Sequence, residues 1–338
     1  MRPQPSFEQL EGRNLLSASS PHSFGAIGDS YTDEYQFYAP DRSTAMNYVE
    51  QLADDRHLDF GDFSAAPPRS APRSQGFANN WAQSADATTD LGPNGQTAGL
   101  AAQAAAGDVD VAFVFAGGND FRRVFASSDP VAALGTVVPT AVTNVFTAVQ
   151  TLLASSPDVG VVVATVPPIS VLPEVRGAIA AGFLPQALAD AVDFAIGAFN
   201  DQIRGLAASS DRVALADVDE LVDDIFAGKE FKFDGVTIDR NSASNDPASL
   251  FLADGIHAGT VGQGLLANVF VDAMNGEFCT RIRPLSEREI LENAGYDRSH
   301  GHATPAPVPP ARPGSSHGPA GSRRACDEMF GAAAITLA

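Results

Sequence analysis

Residues 23–31 read Ser23-Phe-Gly-Ala-Ile-Gly-Asp-Ser-Tyr31. A short apolar run closed by Gly-Asp-Ser reads as a buried strand over 23–27 that delivers a serine just past its carboxyl end. Further apolar runs recur at 58–60, where the pattern is weak, and at 109–115, 159–166 and 213–218. Helical stretches lie between them at 44–52, 131–153 and 186–206. In the last of these Leu188, Val192, Ile196, Phe199, Ile203 and Leu206 recur at steps of three and four, which puts them on one face of a helix turned to a core. Pro139 lies inside the second, so that helix is expected to begin near it or to kink there. This alternation is the pattern of an α/β fold, a five-stranded parallel sheet covered by helices on both faces. Ligands of such open sheets bind beyond the carboxyl ends of the strands, the edge to which Ser30 belongs.

Composition bounds the function. The 338 residues are 44% hydrophobic and 18% charged, enough for a large core. Lysine and arginine number 21 against 41 aspartates and glutamates, a formal charge of −20, which repels a phosphate backbone and argues against nucleic acid as a partner. Only Cys279 and Cys326 are present, too few for a disulfide framework or a cysteine zinc site to be argued. No run of 18 apolar residues exists, so no membrane span is expected. The first 20 residues carry Arg2, Glu8, Glu11 and Arg13 where a secretory signal needs an unbroken apolar run. Residues 64–97 form a Ser-, Pro-, Ala- and Asn-rich stretch too long for an ordinary connection, either functional or poorly ordered. Residues 285–293 read as one more helix, and 301–324 hold six prolines among Gly, Ser, His and Arg, the composition of a disordered tail.

Three pieces carry chemistry. A serine hydroxyl is a poor nucleophile until a neighbouring base takes its proton, and Gly-Asp-Ser alone reads equally as a turn with a helix cap. After the run at 109–115 comes Ala116-Gly-Gly-Asn-Asp-Phe121, which sets the Asn119 amide at the same sheet edge. That amide can donate to a developing oxyanion, or Asn119 or Asp120 can simply cap the next helix. Finally, Asp254-Gly-Ile-His257 places a carboxylate three residues before an imidazole, close enough within one turn to hold Nδ1 and leave Nε2 free as a base. The remaining histidines lie elsewhere, His22 before the first strand, His57 before the weak second one, and His300, His302 and His317 in the tail.

Taken in order, Gly-Asp-Ser, Gly-Gly-Asn-Asp and Asp-x-x-His resemble blocks I, III and V of the SGNH (GDSL-type) hydrolases, over about residues 23–275. The resemblance implies a three-layer α/β/α, flavodoxin-like fold and a serine ester hydrolase (an esterase or lipase). In it Ser30 is the nucleophile, His257 the base and Asp254 its orienter. The oxyanion hole comes from Ser30, Asn119 and the residue at 85, supported by Gly28, Asp29, Gly117 and Asp120. Block II departs from the pattern. Where family members carry Asn-x-Ala-x-x-Gly-Ala, this chain has Asn80-Trp-Ala-Gln-Ser-Ala85-Asp86. The loop is long enough that Ala85 is expected to supply its N–H from an ordinary backbone conformation, while Asp86 disfavours an oxyanion if it points inward. No metal or organic cofactor is required. The expected substrates are small-molecule or carbohydrate esters with short acyl groups, acetylated carbohydrate among them. The alternative is a non-catalytic surface or carbohydrate-binding protein on the same fold, for which the lost glycine and the export-like leader are the motives. Residues 1–20 are read as a leader resembling the FExLExRxLLSA segment of many planctomycete proteins thought to be exported, which implies an exported or cell-surface protein. The hydrolase domain is read as 21–284, and 285–338 as helix and tail.

Overall fold

In the computed structural model, residues 21–40, 42–66, 75–228, 230–297 and the backbone of 302–303 are described. The leader and the remainder of the tail lie outside them. The core is a parallel sheet of four strands, β1 (Phe24–Gly28), β2 (Val111–Phe115), β3 (Gly160–Ala164) and β4 (Val213–Ala216), in that spatial order. Register runs Phe24 to Val111, Val111 to Gly160 and Val161 to Val213. Every residue of β1, β2 and β3 is buried, as expected of strands covered on both faces.

Four regular strands form where five were expected. The segment at 58–60 does run beside β1, but Asp59 Oδ1 accepts the Gly61 N–H at 2.8 Å, and the turn so formed at Gly61 carries the chain out of the sheet. It returns at Asn79. The free edge of β1 is therefore satisfied by two fragments: Phe24 N–H donates to Asp59 O, Ala26 N–H to Asn79 O, and Trp81 N–H to Ala26 O. Each fragment contributes one parallel bridge, Ser23 with Asp59 and Ala26 with Asn80.

Helices cover both faces. On one side lie α1 (Tyr48–Asp55) and α8 (Thr260–Glu277), whose Tyr48 and Phe270 rings stack at 4.5 Å. On the other pack α2 (Gln96–Ala106), α3 (Gly118–Phe125), α4 (Pro130–Ser155) and α6 (Gln186–Ala207). The shorter α5 (Pro173–Ala180) and α7 (Val218–Ala227) complete the crossovers. Helix α1 starts at Tyr48 rather than 44, because Asn47 and Glu50 form a reciprocal capping box. Helix α4 runs through Pro139 from an Asp129 cap; the proline and Gly135, whose carbonyl it leaves without a donor, are both exposed to water. Helix α4 is also, among the described residues, the one element long and apolar enough to cross a membrane, yet Val137, Ala141, Val145 and Val149 pack it into the core. The expected last helix is α9 (Glu287–Asn293), and it belongs to the same core, with Ile290 and Leu291 buried. Beyond it, the stretch read as tail makes one short pairing, His302–Ala303 with Tyr296–Asp297.

Candidate active site

The carboxyl edge of the sheet gathers the three pieces singled out in the sequence. Ser30 follows β1 and is buried. Its Oγ lies 2.8 Å from Nε2 of His257, and Nδ1 of the same ring lies 2.5 Å from Asp254 Oδ2. With the Nδ1 proton donated to the carboxylate, Nε2 is left to accept the serine proton. Asp254 also holds the turn itself, its Oδ1 accepting the N–H groups of Ile256 at 2.8 Å and His257 at 2.9 Å. Burial pushes the Asp254 carboxyl up, but the bonds and charge from His257 and the two backbone donors outweigh it and bring it down to about 2.

The supporting positions are tightly built. A side chain at Gly28 would put Cβ 2.2 Å from the Phe115 carbonyl oxygen, and one at Gly117, where φ is +134°, would press on Val166 Cγ2 at 3.0 Å. Asp29 turns its carboxylate inward, where Oδ1 accepts Tyr31 N–H at 3.0 Å. Burial, with Asp120 and Asp86 nearby, raises it to about 7. Asp120 points away from the serine to Thr88, accepting both its N–H at 2.8 Å and its hydroxyl at 2.7 Å.

The Asn119 amide donates one proton to Asp86 O at 2.9 Å, which leaves its second N–H for another acceptor. Among the described residues the backbone N–H groups of Ser30 and Ala85 have no acceptor. The relaxed conformation expected for Ala85 is not what is found: its φ is +71°, in the left-handed region. An alanine there costs about 1–2 kcal/mol relative to its ordinary conformations, and glycine nearly nothing. Position 85 therefore makes a conformational demand that glycine would meet freely, and this chain meets it with a side chain in place. The Asp86 carboxylate is taken up by Asn94 and Gln96, to which it is bonded.

Several residues at the site went unread in the sequence. Tyr31 donates its hydroxyl to Ile256 O at 2.7 Å, tying the serine turn to the histidine loop, and its ring lies 5.9 Å from the His257 ring. Tyr35 meets that ring edge-on at 6.0 Å. Arg42 donates to Ser30 O at 3.2 Å and to Ser84 Oγ at 2.9 Å. No motif announces such contacts, because each joins segments remote in sequence. Beside the serine opens a cleft of about 580 Å³, its mouth included. Phe115, Val166, Ile169, Leu172, Ile196 and Ile256 wall it, and Arg122 at its rim is paired with Glu174 at 2.7 Å.

A doubly wound parallel sheet with a serine and an imidazole in contact at its carboxyl edge, beside an apolar cleft, is the architecture of an α/β ester hydrolase. The chain belongs to the GDSL-like lipase/acylhydrolase family, whose model matches residues 24–270. No curated protein matches it. Among solved structures it is similar to the lipase Lip_vut3 from a goat rumen metagenome, with TM-score 0.47, 13% identity, and coverage of 74% of this chain and 96% of that one. An extracellular lipase from Streptomyces rimosus gives TM-score 0.44 at 18% identity, over 74% and 99% of the two chains. A catalytic mutant of Axe2, an acetylxylan esterase from Geobacillus stearothermophilus, gives 0.42 at 14%, over 79% and 98%.

Proposed function

We propose that this ester hydrolase works through an acyl-enzyme on Ser30. His257 Nε2 takes the hydroxyl proton as Ser30 Oγ attacks the ester carbonyl, and gives it to the leaving alcohol as the carbon–oxygen bond breaks. A water that gives its proton to the same nitrogen then attacks the acyl carbon, the bond to Ser30 Oγ breaks to release the acid, and His257 returns the proton to Oγ. Asp254 keeps the imidazole in the tautomer that does this. The observation that carries the reading is the continuous contact from Ser30 Oγ through the ring to Asp254, at 2.8 and 2.5 Å. The backbone N–H groups of Ser30 and Ala85 and the remaining Asn119 proton are the donors for the carbonyl oxygen as it becomes negative.

For substrate we infer short acyl esters, including acetyl groups on carbohydrate. The apolar cleft wall supports an uncharged acyl group, and the net charge of −20 disfavours anionic polymers. Hydrolysis of p-nitrophenyl acetate and acetylated xylo-oligosaccharide, with bis-p-nitrophenyl phosphate as the contrasting substrate, tests this. Turnover of the acetyl esters supports the reading, turnover of the phosphate alone makes the chain a phosphodiesterase, and none above the Ser30→Ala variant makes it a binding protein.

A further inference from the structure

The left-handed Ala85 lies in a loop that is bonded from several sides. Arg123 Nη2 donates to Ala85 O at 2.8 Å, and Asn119 Nδ2 to Asp86 O at 2.9 Å, so both carbonyls flanking the Asp86 nitrogen and carbon are pinned. The Asp86 side chain is buried and accepts Asn94 Nδ2 on both oxygens, at 2.9 and 2.8 Å, and Gln96 Nε2 at 2.7 Å. Gln96, fully buried, also grips the end of β1: its Nε2 donates to Gly28 O at 3.1 Å and its Oε1 accepts Gly28 N–H at 2.9 Å. One carboxylate thus couples the residue-85 loop to the strand end two residues before Ser30.

We propose that Asp86 is a positioning residue that substitutes for the missing glycine, its anchored side chain holding Ala85 in the left-handed conformation in which the residue-85 N–H serves the oxyanion. A glycine reaches that conformation unaided, so the family's Gly-Ala pair needs no clamp. An alanine in the same place does need one, and here Ala85 and the clamping Asp86 occur together. This inference rests on the reading of Ser30 as nucleophile and of the residue-85 N–H as an oxyanion donor.

The test is a double-mutant cycle on p-nitrophenyl acetate with the parent, Ala85→Gly, Asp86→Ala and the double variant, and Ser30→Ala as blank. In the alanine background, Asp86→Ala is expected to lower kcat about ten- to a hundredfold with KM changed less than about threefold, since an oxyanion contact acts in the transition state. In the glycine background the same substitution is expected to cost less than about threefold. If Asp86→Ala does not fold, Asp86→Asn, which keeps one acceptor oxygen, takes its place in both backgrounds with the same expected asymmetry. Equal losses in the two backgrounds, or no loss with alanine at 85, overturn the clamp while leaving the hydrolase intact. A parent no more active than Ser30→Ala overturns the hydrolase reading and the clamp with it.

Discussion

Ser30 and His257 lie 227 positions apart and meet at 2.8 Å, so the proposed acyl transfer depends on residues that fix two remote loops against each other. Asp254→Asn is expected to keep the fold and lose kcat by about 10³- to 10⁴-fold, because an amide favours the wrong imidazole tautomer. Circular dichroism and initial rates check this, and an active Asp254→Asn would mean that another group orients the ring. Tyr31→Phe removes the hydroxyl that holds Ile256 O and is expected to lower kcat about tenfold, with KM nearly unchanged, through looser placement of His257. An equal loss in a variant of comparable stability remote from the site would deny Tyr31 that role. At this scale the sequence was readable where chemistry forces residue types into fixed spacing, as in Asp254-x-x-His257. It was unreadable for Tyr31, Arg42 and Gln96, whose contacts arise only on folding. At Ala85 the missing glycine was misread as freedom, because the bonds made to this loop come from other segments, Arg123 and Asn119 at 38 and 33 positions and Gln96 through Asp86, and arise only on folding.

Among the elements, helix α9 shows how packing decides what composition leaves open. Ile290 is fully buried against α8, where Gly264 leaves the space for it: a Cβ on that glycine would come within 2.7 Å of Ile290 Cγ1. Ile290→Ala is expected to destabilise the fold by about 3 kcal/mol, read from chemical denaturation at an unchanged slope. A change below about 1 kcal/mol would mean that α9 is only loosely attached. The strands at 109–115, 159–166 and 213–218 were legible because a strand buried on both faces is continuously apolar. The one at 58–60 was not, since its weakness reflects an excursion that the Asp59 and Gly61 turn begins and Asn79 ends.

For the molecule as a whole, the acidic balance reaches the interior. Asp29 and Glu50 are buried carboxyls raised to about 7 from ordinary values of 3.8 and 4.5, chiefly by desolvation. Between those values and 7 the folded chain holds protons that the unfolded chain has released, so stability falls as pH rises through that window. Asp254 works in the opposite sense, its contribution present above 3.8 and lost as pH falls through about 2. Melting temperature is therefore expected to be higher at pH 5 than at pH 8, by roughly 5 °C or more, and a rise across that interval would contradict the assignment. The acyl-enzyme is tested by the pre-steady-state release of p-nitrophenol from p-nitrophenyl acetate. Accumulation of an acyl-enzyme on Ser30 predicts a burst of one equivalent per chain, with acetate recovered on the peptide containing Ser30 and both signals absent from Ser30→Ala. Turnover with that label absent, or a burst of the same size in Ser30→Ala, would contradict it.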